Sequence, residues 1–270
     1  MHAKPFLILT MLAALPAFAQ SPKSPPSTST SKSPAIKLRS HGPMKLIGVP
    51  HPGAVASSNW SGYAVTGTAF TKALGSWIVP TVKCGTTPNS YSSYWVGIDG
   101  YSDSTVEQLG TDSDCSGKTP QYYAWYEFYP NASKLISNIT VSPGDKMSAT
   151  VSHSGTQFTL QITDHTTGKF FRVIKTFSGK RTSAEWIVEA PSNGVSVLPL
   201  ADFTKVSLGT DYTGVNDTDW AVNSAVTGPI SDFGSHVQKI TMQTSGGINK
   251  AVPTALTTDG SSFKVTWKHE

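Results

Sequence analysis

Residues 122–129 read Tyr-Tyr-Ala-Trp-Tyr-Glu-Phe-Tyr and are rich in the aromatic residues that favour β-strands. Successive side chains of a strand point to opposite faces. One face carries Tyr122, Ala124, Tyr126 and Phe128, and the other carries Tyr123, Trp125, Glu127 and Tyr129. A carboxylate among three large aromatic side chains is not typical of a solvated face. The pattern predicts a strand with an aromatic groove on one side.

Strand-like segments continue on both sides of this stretch, from Ser57 to the C-terminus. Runs rich in Val, Ile, Thr, Tyr, Phe and Trp alternate with clusters of Gly, Pro, Asn, Asp and Ser, and no helical period exceeds about two turns. The other predicted strands are Trp60–Val65, Gly75–Val79, Tyr94–Ile98, Lys146–Ser152, Phe158–Asp164, Phe170–Phe177, Ala184–Val188, Lys205–Leu208, His236–Gln243 and Phe263–Lys268. Many short strands predict one all-β domain over residues 57–270, a sandwich or a barrel.

Two more strands place polar side chains on defined faces. Around residue 185, one face carries Ala184, Trp186 and Val188, and the other carries Glu185, Ile187 and Glu189. In residues 106–110, Gln108 shares a face with Val106. Polar groups that share sheet faces with aromatic side chains again suggest a groove.

The N-terminus has the pattern of a secretory signal peptide. Lys4 supplies a positive charge, residues 6–15 form a short apolar run, and Ala17-Phe18-Ala19 matches a cleavage site. The run is shorter than the roughly 20 residues of a membrane span, and no later segment is apolar enough. We therefore expect residues 1–19 to be removed and the protein to be secreted (extracellular or periplasmic), with no membrane partner. An N-terminal core helix is the alternative.

Residues 20–56 are rich in Pro, Ser, Thr and Lys. This composition cannot bury enough apolar surface to offset its ordering entropy, so we expect a flexible propeptide or linker. The chain carries 21 basic and 17 acidic residues, but residues 1–56 hold six of the bases and none of the acids. The remaining domain is slightly acidic, which argues against nucleic acid as a partner.

The chain has two cysteines, Cys84 and Cys115. In an oxidising compartment this pair predicts a disulfide. Two thiols without a nearby histidine do not make a zinc site, so we expect no metal.

The usual hydrolase signatures are missing from the sequence: a G-x-S-x-G elbow, an H-E-x-x-H helix, and the Asp-Thr-Gly or Asp-Ser-Gly of aspartic peptidases. Five other phrases stand out, namely Ser57-Ser-Asn-Trp-Ser-Gly62, Trp95-Val-Gly-Ile-Asp-Gly100, Glu107-Gln-Leu-Gly-Thr111, Ala124-Trp-Tyr-Glu-Phe-Tyr-Pro130 and Ala184-Glu-Trp-Ile-Val-Glu189. In this order they closely resemble the glutamic peptidase family, also called eqolisins. The resemblance runs from Ser57 through residues 201–203 and more loosely to the C-terminus.

The resemblance implies a fold, an activity and a set of site residues. The fold is an antiparallel β-sandwich of two sheets, like that of concanavalin-type lectins and glucanases. The activity is that of an acid endopeptidase on polypeptide substrates, without a cofactor, whose catalytic pair matches Gln108 and Glu185. The matching cleft residues are Trp95, Asp99, Trp125, Glu127 and Tyr129, and Trp60 is a further substrate-binding candidate. Fewer cysteines, and Phe128 where a Trp is often found, depart from the better-known fungal members.

The chemistry of the pair is consistent with this activity. A Glu, with an unperturbed pKa of about 4.3, can accept and return a proton in the acid range. A Gln amide can donate to an oxyanion while its carbonyl oxygen holds a water. For several residues a structural role stays open: Asp99 could be a turn residue before Gly100, Glu127 a structural acceptor, and the aromatic residues simple packing.

Two other classes of protein use the same kind of sandwich. A glycoside hydrolase would use Glu185 and Glu189, but a regular strand places their backbones about 13 Å apart, beyond the spacing of either glycosidase mechanism. A carbohydrate-binding module would explain an aromatic groove but not the joint occurrence of the Gln108 and Glu185 phrases. We further expect a monomer, in which the basic propeptide lies near the acidic cleft and inhibits it.

Overall fold

The computed structural model describes residues 1–2, 35–51, 53–216 and 218–270, and residues 35–270 form one unit. Almost all of its regular structure is β. The strands are β1 Leu46–His51, β2 Ala54–Ser57, β3 Trp60–Thr66, β4 Lys72–Ile78, β5 Ser93–Ile98, β6 Val106–Ser116, β7 Thr119–Tyr129, β8 Lys134–Ile136, β9 Lys146–Ser154, β10 Gln157–Asp164, β11 Lys169–Thr176, β12 Ser183–Glu189, β13 Lys205–Leu208, β14 Trp220–Val222, β15 Thr227–Pro229, β16 Val237–Gln243, β17 Asn249–Pro253 and β18 Phe263–Trp267. Helix α1 spans Thr210–Thr213, and a 3₁₀ helix spans Ile230–His236.

The strands form two packed layers joined at one end. The first runs in the order β8, β7, β6, β5, β12, β3, β16, β2, β1. The second runs β11, β10, β9, β4, β13, β18, β17, and in addition β14 pairs with β4 and β15 pairs with β14. Strand β17 also pairs with β16 and so connects the layers. Among the described strand pairs, β2 with β16 is the single parallel one. The predicted antiparallel β-sandwich is confirmed.

The main core lies between the layers and is filled by large side chains from both. Trp77, Tyr94, Trp186, Phe158 and Phe203 are all essentially inaccessible to solvent. A smaller apolar cluster covers the outer face of the first layer, and it includes Trp60, Trp95, Tyr123 and Trp125. These two clusters divide the side chains of β7 as its alternation predicts, with Ala124 and Phe128 in the main core and Trp125 on the outer face.

The N-terminal segment is more ordered than its composition predicts. The expectation that residues 20–56 lack structure is wrong for 35–51 and 53–56, since this part contains β1, β2 and a stretch on the outer face of the first layer. The reason is that β2 gains a ladder with β16 and the segment before β1 hydrogen-bonds to the groove, which composition alone does not reveal. Residues 3–34, and with them nearly all of the predicted signal peptide, lie outside the described residues.

Cys84 and Cys115 form the predicted disulfide, which closes a loop with a sequence separation of 31. Both residues are buried in the main core. Replacing both by Ala should lower the free energy of unfolding by roughly 3.5 kcal/mol, because the unfolded chain regains the entropy of that loop. Urea unfolding of the double variant, compared with the parent, measures this loss. A decrease below about 1 kcal/mol would contradict the chain-entropy account.

Candidate active site

The two predicted catalytic residues lie on either side of one glycine in a straight row across the first layer. Gly97 of β5 pairs with Gln108 of β6 on one side and with Glu185 of β12 on the other. Paired residues of neighbouring strands point to the same face, and strands lie about 4.8 Å apart. The backbones of Gln108 and Glu185 are therefore about 10 Å apart, with both side chains directed to the outer face. Gly97 itself places no side chain between them.

A larger residue has little room at the centre of this row. A Cβ built on Gly97 would lie 2.8 Å from the Trp95 ring and 3.3 Å from Cβ of Gln108. Packing against Trp95 and Gln108 thus requires a glycine at this position.

Glu127 and Ala64 extend the row on its two sides. Glu127 of β7 pairs with Gln108, and Ala64 of β3 pairs with Glu185. The Gln108 amide nitrogen donates to Glu127 Oε2 at 3.3 Å. Glu127 therefore helps to fix which end of the Gln108 amide faces the groove.

Burial dominates the electrostatics of Glu185. The side chain is inaccessible to solvent, and this burial raises its pKa well above the usual value. The Ser183 hydroxyl opposes the shift, while the negative charge of Asp99 adds to it. This burial favours the neutral form of Glu185.

The predicted aromatic residues line the same face as the pair. Trp60 and Trp95 meet edge to face, with ring centroids 4.9 Å apart, and the Trp95 indole donates to Glu189 Oε2 at 2.8 Å. Trp125 belongs to the same cluster, and Tyr129 packs against it. The structure therefore brings Trp60, Trp95, Trp125, Glu127 and Tyr129 together with Gln108 and Glu185.

Asp99 has a different environment, beyond the end of β5. Its carboxylate accepts hydrogen bonds from the backbone nitrogens of Arg181 at 2.7 Å and Thr182 at 2.8 Å. These residues immediately precede β12. Asp99 thus positions the start of the strand that carries Glu185, and its contact with substrate stays a prediction.

Strand β12 also bears on the glycosidase alternative. It pairs with both neighbours without a register shift from Ser183 to Glu189. The backbones of Glu185 and Glu189 are therefore about 13 Å apart, as a regular strand requires. No bulge brings these carboxyl groups closer together.

A segment that we call the strap, residues 38–45, lies in the groove. The backbone nitrogen of His41 donates to Glu127 Oε2 at 2.9 Å, and the Gln108 amide nitrogen donates to the His41 carbonyl oxygen. The Trp60 indole donates to the carbonyl oxygen of Gly42 at 3.2 Å. The strap thus occupies the donors and acceptors that the groove would offer to a substrate.

The His41 side chain fills a pocket in the floor. Its ring stacks on Trp125, with centroids 3.5 Å apart and planes 3° from parallel. Its Nε2 lies 3.3 Å from both carboxylate oxygens of Asp112, and its Nδ1 lies 3.4 Å from Glu127 Oε2. Burial opposes the charged form of His41, but Asp112 and Glu127 outweigh it and raise the pKa to about 10. The imidazole is therefore held as a cation.

Contacts at both ends fix the path of the strap. Ser40 forms two backbone hydrogen bonds with Ser192, of 3.0 and 2.8 Å. Arg39 Nε lies 3.7 Å from Asp114 Oδ2, and Cζ of the same guanidinium lies 3.9 Å from the centroid of the Tyr91 ring. Beyond the pocket, the Met44 nitrogen donates to the Gly100 carbonyl oxygen at 2.9 Å. The strap is therefore extended across the groove from beyond the C-terminal end of β12 to the end of β5.

Sequence reasoning missed His41 and Asp112. Asp112 could have been found, because it lies on the same face of β6 as Gln108, two alternations further on. His41 carries no motif and sits in a segment that composition assigns to disorder, so no local signal indicates its role.

Comparisons with known proteins agree with this fold. The profile described as the Peptidase A4 family matches residues 58–262. Aspergillopepsin-2 from Aspergillus niger is 34% identical over an alignment of 177 residues, and the match covers 56% of this chain and 62% of that protein. Scytalidopepsin B from Scytalidium lignicola is 32% identical over an alignment of 193 residues, and the match covers 64% of this chain and 72% of that protein. The matched part thus spans less than two thirds of the first relative and more of the second.

Solved structures show the same architecture. Scytalido-glutamic peptidase with a transition state analog inhibitor superposes with a TM-score of 0.64 at 25% identity, over 78% of this chain and 98% of that one. The aspergilloglutamic peptidase from Aspergillus niger gives a TM-score of 0.56 at 27% identity, over 66% of this chain and 99% of that one. These solved structures of glutamic peptidases share the β-sandwich fold of this chain. The chain belongs to the Peptidase A4 family, which confirms the resemblance seen in the sequence.

Proposed function

We propose that the chain is the precursor of a secreted acid endopeptidase in which Gln108 and Glu185 carry the chemistry. One observation supports this most directly: the Gln108 amide already donates to a peptide carbonyl oxygen, that of His41, in a row with Glu185. Secretion rests on the predicted signal peptide and agrees with the disulfide, which is typical of oxidising compartments.

The proposed reaction is the direct addition of water to a peptide carbonyl. Ionised Glu185 takes a proton from the water as its oxygen bonds to the carbonyl carbon, and the Gln108 amide donates to the developing oxyanion. Glu185 then gives the proton to the leaving nitrogen as the carbon–nitrogen bond breaks, which yields a carboxylic acid and an amine. Among the described residues, none donates a hydrogen bond to the Gln108 carbonyl oxygen, so that atom can help to hold the water.

The strap is the proposed inhibitor of this site. It engages Gln108 directly, and in the same structure burial favours the neutral form of Glu185, which cannot act as a base. When the strap leaves, water reaches Glu185 and its pKa returns toward the ordinary range of about 4.3. The active form is therefore expected to work in acid and the covered form to be latent.

The test of the function is cleavage of denatured casein by purified protein between pH 2 and 7, with pepstatin present. We expect cleavage in the acid range that resists pepstatin, since the site contains no aspartic peptidase motif. A folded and processed protein that cleaves nothing at any pH would refute the proposed activity and favour a glycan-binding role.

Docking of the strap should depend on pH through the His41 pocket. Because docking raises the pKa of His41 from 6.5 to about 10, protonation stabilises the docked strap fully below pH 6.5, and this contribution is lost as the pH rises through 10. Docking should therefore be strongest below pH 6.5 and weaken as the pH rises through 10.

Tryptophan fluorescence can follow this dependence, because a protonated imidazole stacked on Trp125 quenches the indole. The measurement uses a Glu185→Gln background that cannot process itself. The difference between this protein and its His41→Ala derivative reports the stack alone. A difference that does not change from pH 2 to 11 would contradict the expected release.

A further inference from the structure

A buried glutamate, Glu107, lies next to Gln108 on β6 and points to the opposite face of the strand, away from the groove. Its side chain is inaccessible to solvent, and its strand partners, Ile98 and Phe128, belong to the main core. A buried carboxyl group needs a hydrogen-bond partner. However, no N–H or hydroxyl group of another described residue donates to either oxygen of Glu107. The proposed reaction does not use this residue.

The remaining partner of Glu107 is the carboxyl group of Asp99. The two side chains are hydrogen-bonded to each other. Both lie against Gly179, since a Cβ built on that glycine would be 2.6 Å from Glu107 Oε2 and 2.9 Å from Asp99 Oδ2. Two buried carboxyl groups in contact cannot both be ionised, so one proton lies between them.

The donors around the pair place this proton on Glu107. Asp99 accepts from the backbone nitrogens of Arg181 at 2.7 Å and Thr182 at 2.8 Å, and the Thr182 hydroxyl lies 3.3 Å from Asp99 Oδ1. Burial raises the pKa of Asp99, but the two backbone hydrogen bonds oppose this shift. Burial raises the pKa of Glu107 to about 10, and the negative charge of Asp99 adds to the increase. Glu107 is therefore a neutral acid that donates to Asp99.

The charges around the pair favour the same arrangement. The titratable and charged groups on the surrounding elements are Asp103 after β5, Glu185 of β12, Arg181 before β12, His153 of β9 and Lys175 of β11. Asp103 raises the pKa of Glu107 further, and an ionised Glu107 would raise that of Glu185. Among the described residues, no cation lies within ion-pair distance of Glu107. Glu107 is thus kept protonated.

The junction that Asp99 forms with the chain before β12 needs such support. Asp99 and Arg181 have φ values of 75° and 59°, in the left-handed region that residues other than glycine keep only where their surroundings fix them. The Asp99 nitrogen also donates to the carbonyl oxygen of Ser183 at 3.1 Å. Ser183 opens β12, and Glu185 follows two residues later. The orientation of Asp99 therefore sets the path of the chain into Glu185.

We propose that Glu107 is a positioning residue of the active site, whose protonated carboxyl group fixes Asp99 and, through Asp99, the backbone that directs Glu185 into the groove. This proposal rests on the proposed function. The arrangement suits an enzyme that works in acid, because Glu107 has its proton there. Its raised pKa gives a contribution to stability that is fully present below pH 4.5 and is lost as the pH rises through about 10.

The first experiment compares Glu107→Gln with Glu107→Leu on acid-activated protein and a quenched peptide. The glutamine amide can still donate to Asp99, so kcat should stay within about threefold of the parent value. Leucine suits the apolar surroundings but cannot donate, so kcat should fall about tenfold or more with KM little changed, as for a displaced catalytic group. A merely structural role predicts no such loss, because an apolar replacement of a buried charged group is often neutral or stabilising. A folded Glu107→Leu protein with the parent kcat, or a Glu107→Gln protein equally impaired, would overturn the proposal.

The second experiment does not depend on the folding of the leucine variant. It compares Tm of the full chain with and without Glu107→Gln, in a Glu185→Gln background that cannot cleave itself. Above pH 4.5 the unfolded chain gains an ionised Glu107 and the folded chain does not. Between pH 5 and 9, Tm should therefore fall by about 5 °C or more beyond the fall in the Glu107→Gln protein. Parallel Tm curves would overturn the proposal.

Casein cleavage separates this inference from the function on which it rests. Glu185-dependent cleavage of casein by the parent, with equal kcat in the parent and the Glu107→Leu protein, refutes only the role of Glu107. No Glu185-dependent cleavage of casein refutes the proposed function and this inference with it.

Discussion

The Glu185→Gln variant is expected to lose about 10²–10⁴ of kcat on casein or peptide substrates, because general acid–base catalysis contributes on this order. The substitution keeps the shape of a buried side chain and removes the group that accepts and returns the proton. Burial already favours the neutral form of Glu185, so the folded variant should be at least as stable as the parent. Initial rates on processed protein near pH 4, with thermal melting to confirm folding, measure the effect.

Glu189→Gln provides a matched control. Glu189 lies on the same strand and the same face, is equally buried, and accepts from the Trp95 indole. Its substitution introduces a buried amide close to the site without altering the proposed base. The Glu189→Gln substitution should therefore lower kcat much less than Glu185→Gln does. A folded Glu185→Gln protein with near-normal rates would end the assignment of this residue.

Gln108→Ala tests the other half of the pair. Loss of one oxyanion donor typically costs about 10²–10³ in kcat, or roughly 2.7–4 kcal/mol. Gln238→Ala is its control, because Gln238 of β16 pairs with Ala64 in the same row beyond Glu185. Gln108→Ala should also loosen the strap, since it removes the donor to the His41 carbonyl oxygen.

Deletion of residues 35–45 is expected to remove latency, and with it to cause a large increase in the activity of the full-length protein. A tethered segment acts at an effective concentration on the order of millimolar. If the strap binds the groove with an intrinsic dissociation constant near micromolar, only about 0.1% of full-length molecules are open at neutral pH. The deletion should therefore raise the initial rate on a quenched peptide at pH 5–6 by roughly two to three orders of magnitude, since nearly all molecules become open.

A peptide of residues 35–45, added in trans, provides a second measurement that does not depend on how well the deleted protein folds. It should inhibit the activated enzyme, and a His41→Ala version of the peptide should inhibit less, since it lacks the stack and both ion pairs. If the deleted and full-length proteins have equal initial rates and the peptide does not inhibit at millimolar concentration, the strap is not an inhibitor.

Much of the fold could be predicted because it depends on local pattern. The alternation in 122–129 correctly separated the core face of β7 from its groove face, and the turn residues separated most of the strands. Short strands such as β8, β14 and β15 were not predicted, since three residues carry too little periodicity. Strand register was also inaccessible, and register is what aligns Gln108, Gly97 and Glu185.

The strap could not be predicted for a related reason. Its order depends on contacts with residues about 70 to 150 positions away, such as the pair of His41 with Asp112 and that of Ser40 with Ser192. Composition describes what a segment can bury by itself, and this segment buries little until the groove is present. Asp99 shows the same limit, because a turn residue and a partner for the backbone before β12 look alike in sequence.

The central position of β5, β6 and β12 bears on self-digestion, because each molecule of a protein-digesting enzyme is surrounded by other copies that could cleave it. Local opening that exposes backbone occurs mostly at edges and loops, whereas central strands open only with global unfolding. The strands that carry Gln108 and Glu185 are hydrogen-bonded on both sides, so neighbouring enzyme molecules cannot draw them out as extended chain. Self-digestion should therefore begin at exposed loops and end segments, and the surviving fragments should retain the row intact until the whole domain unfolds.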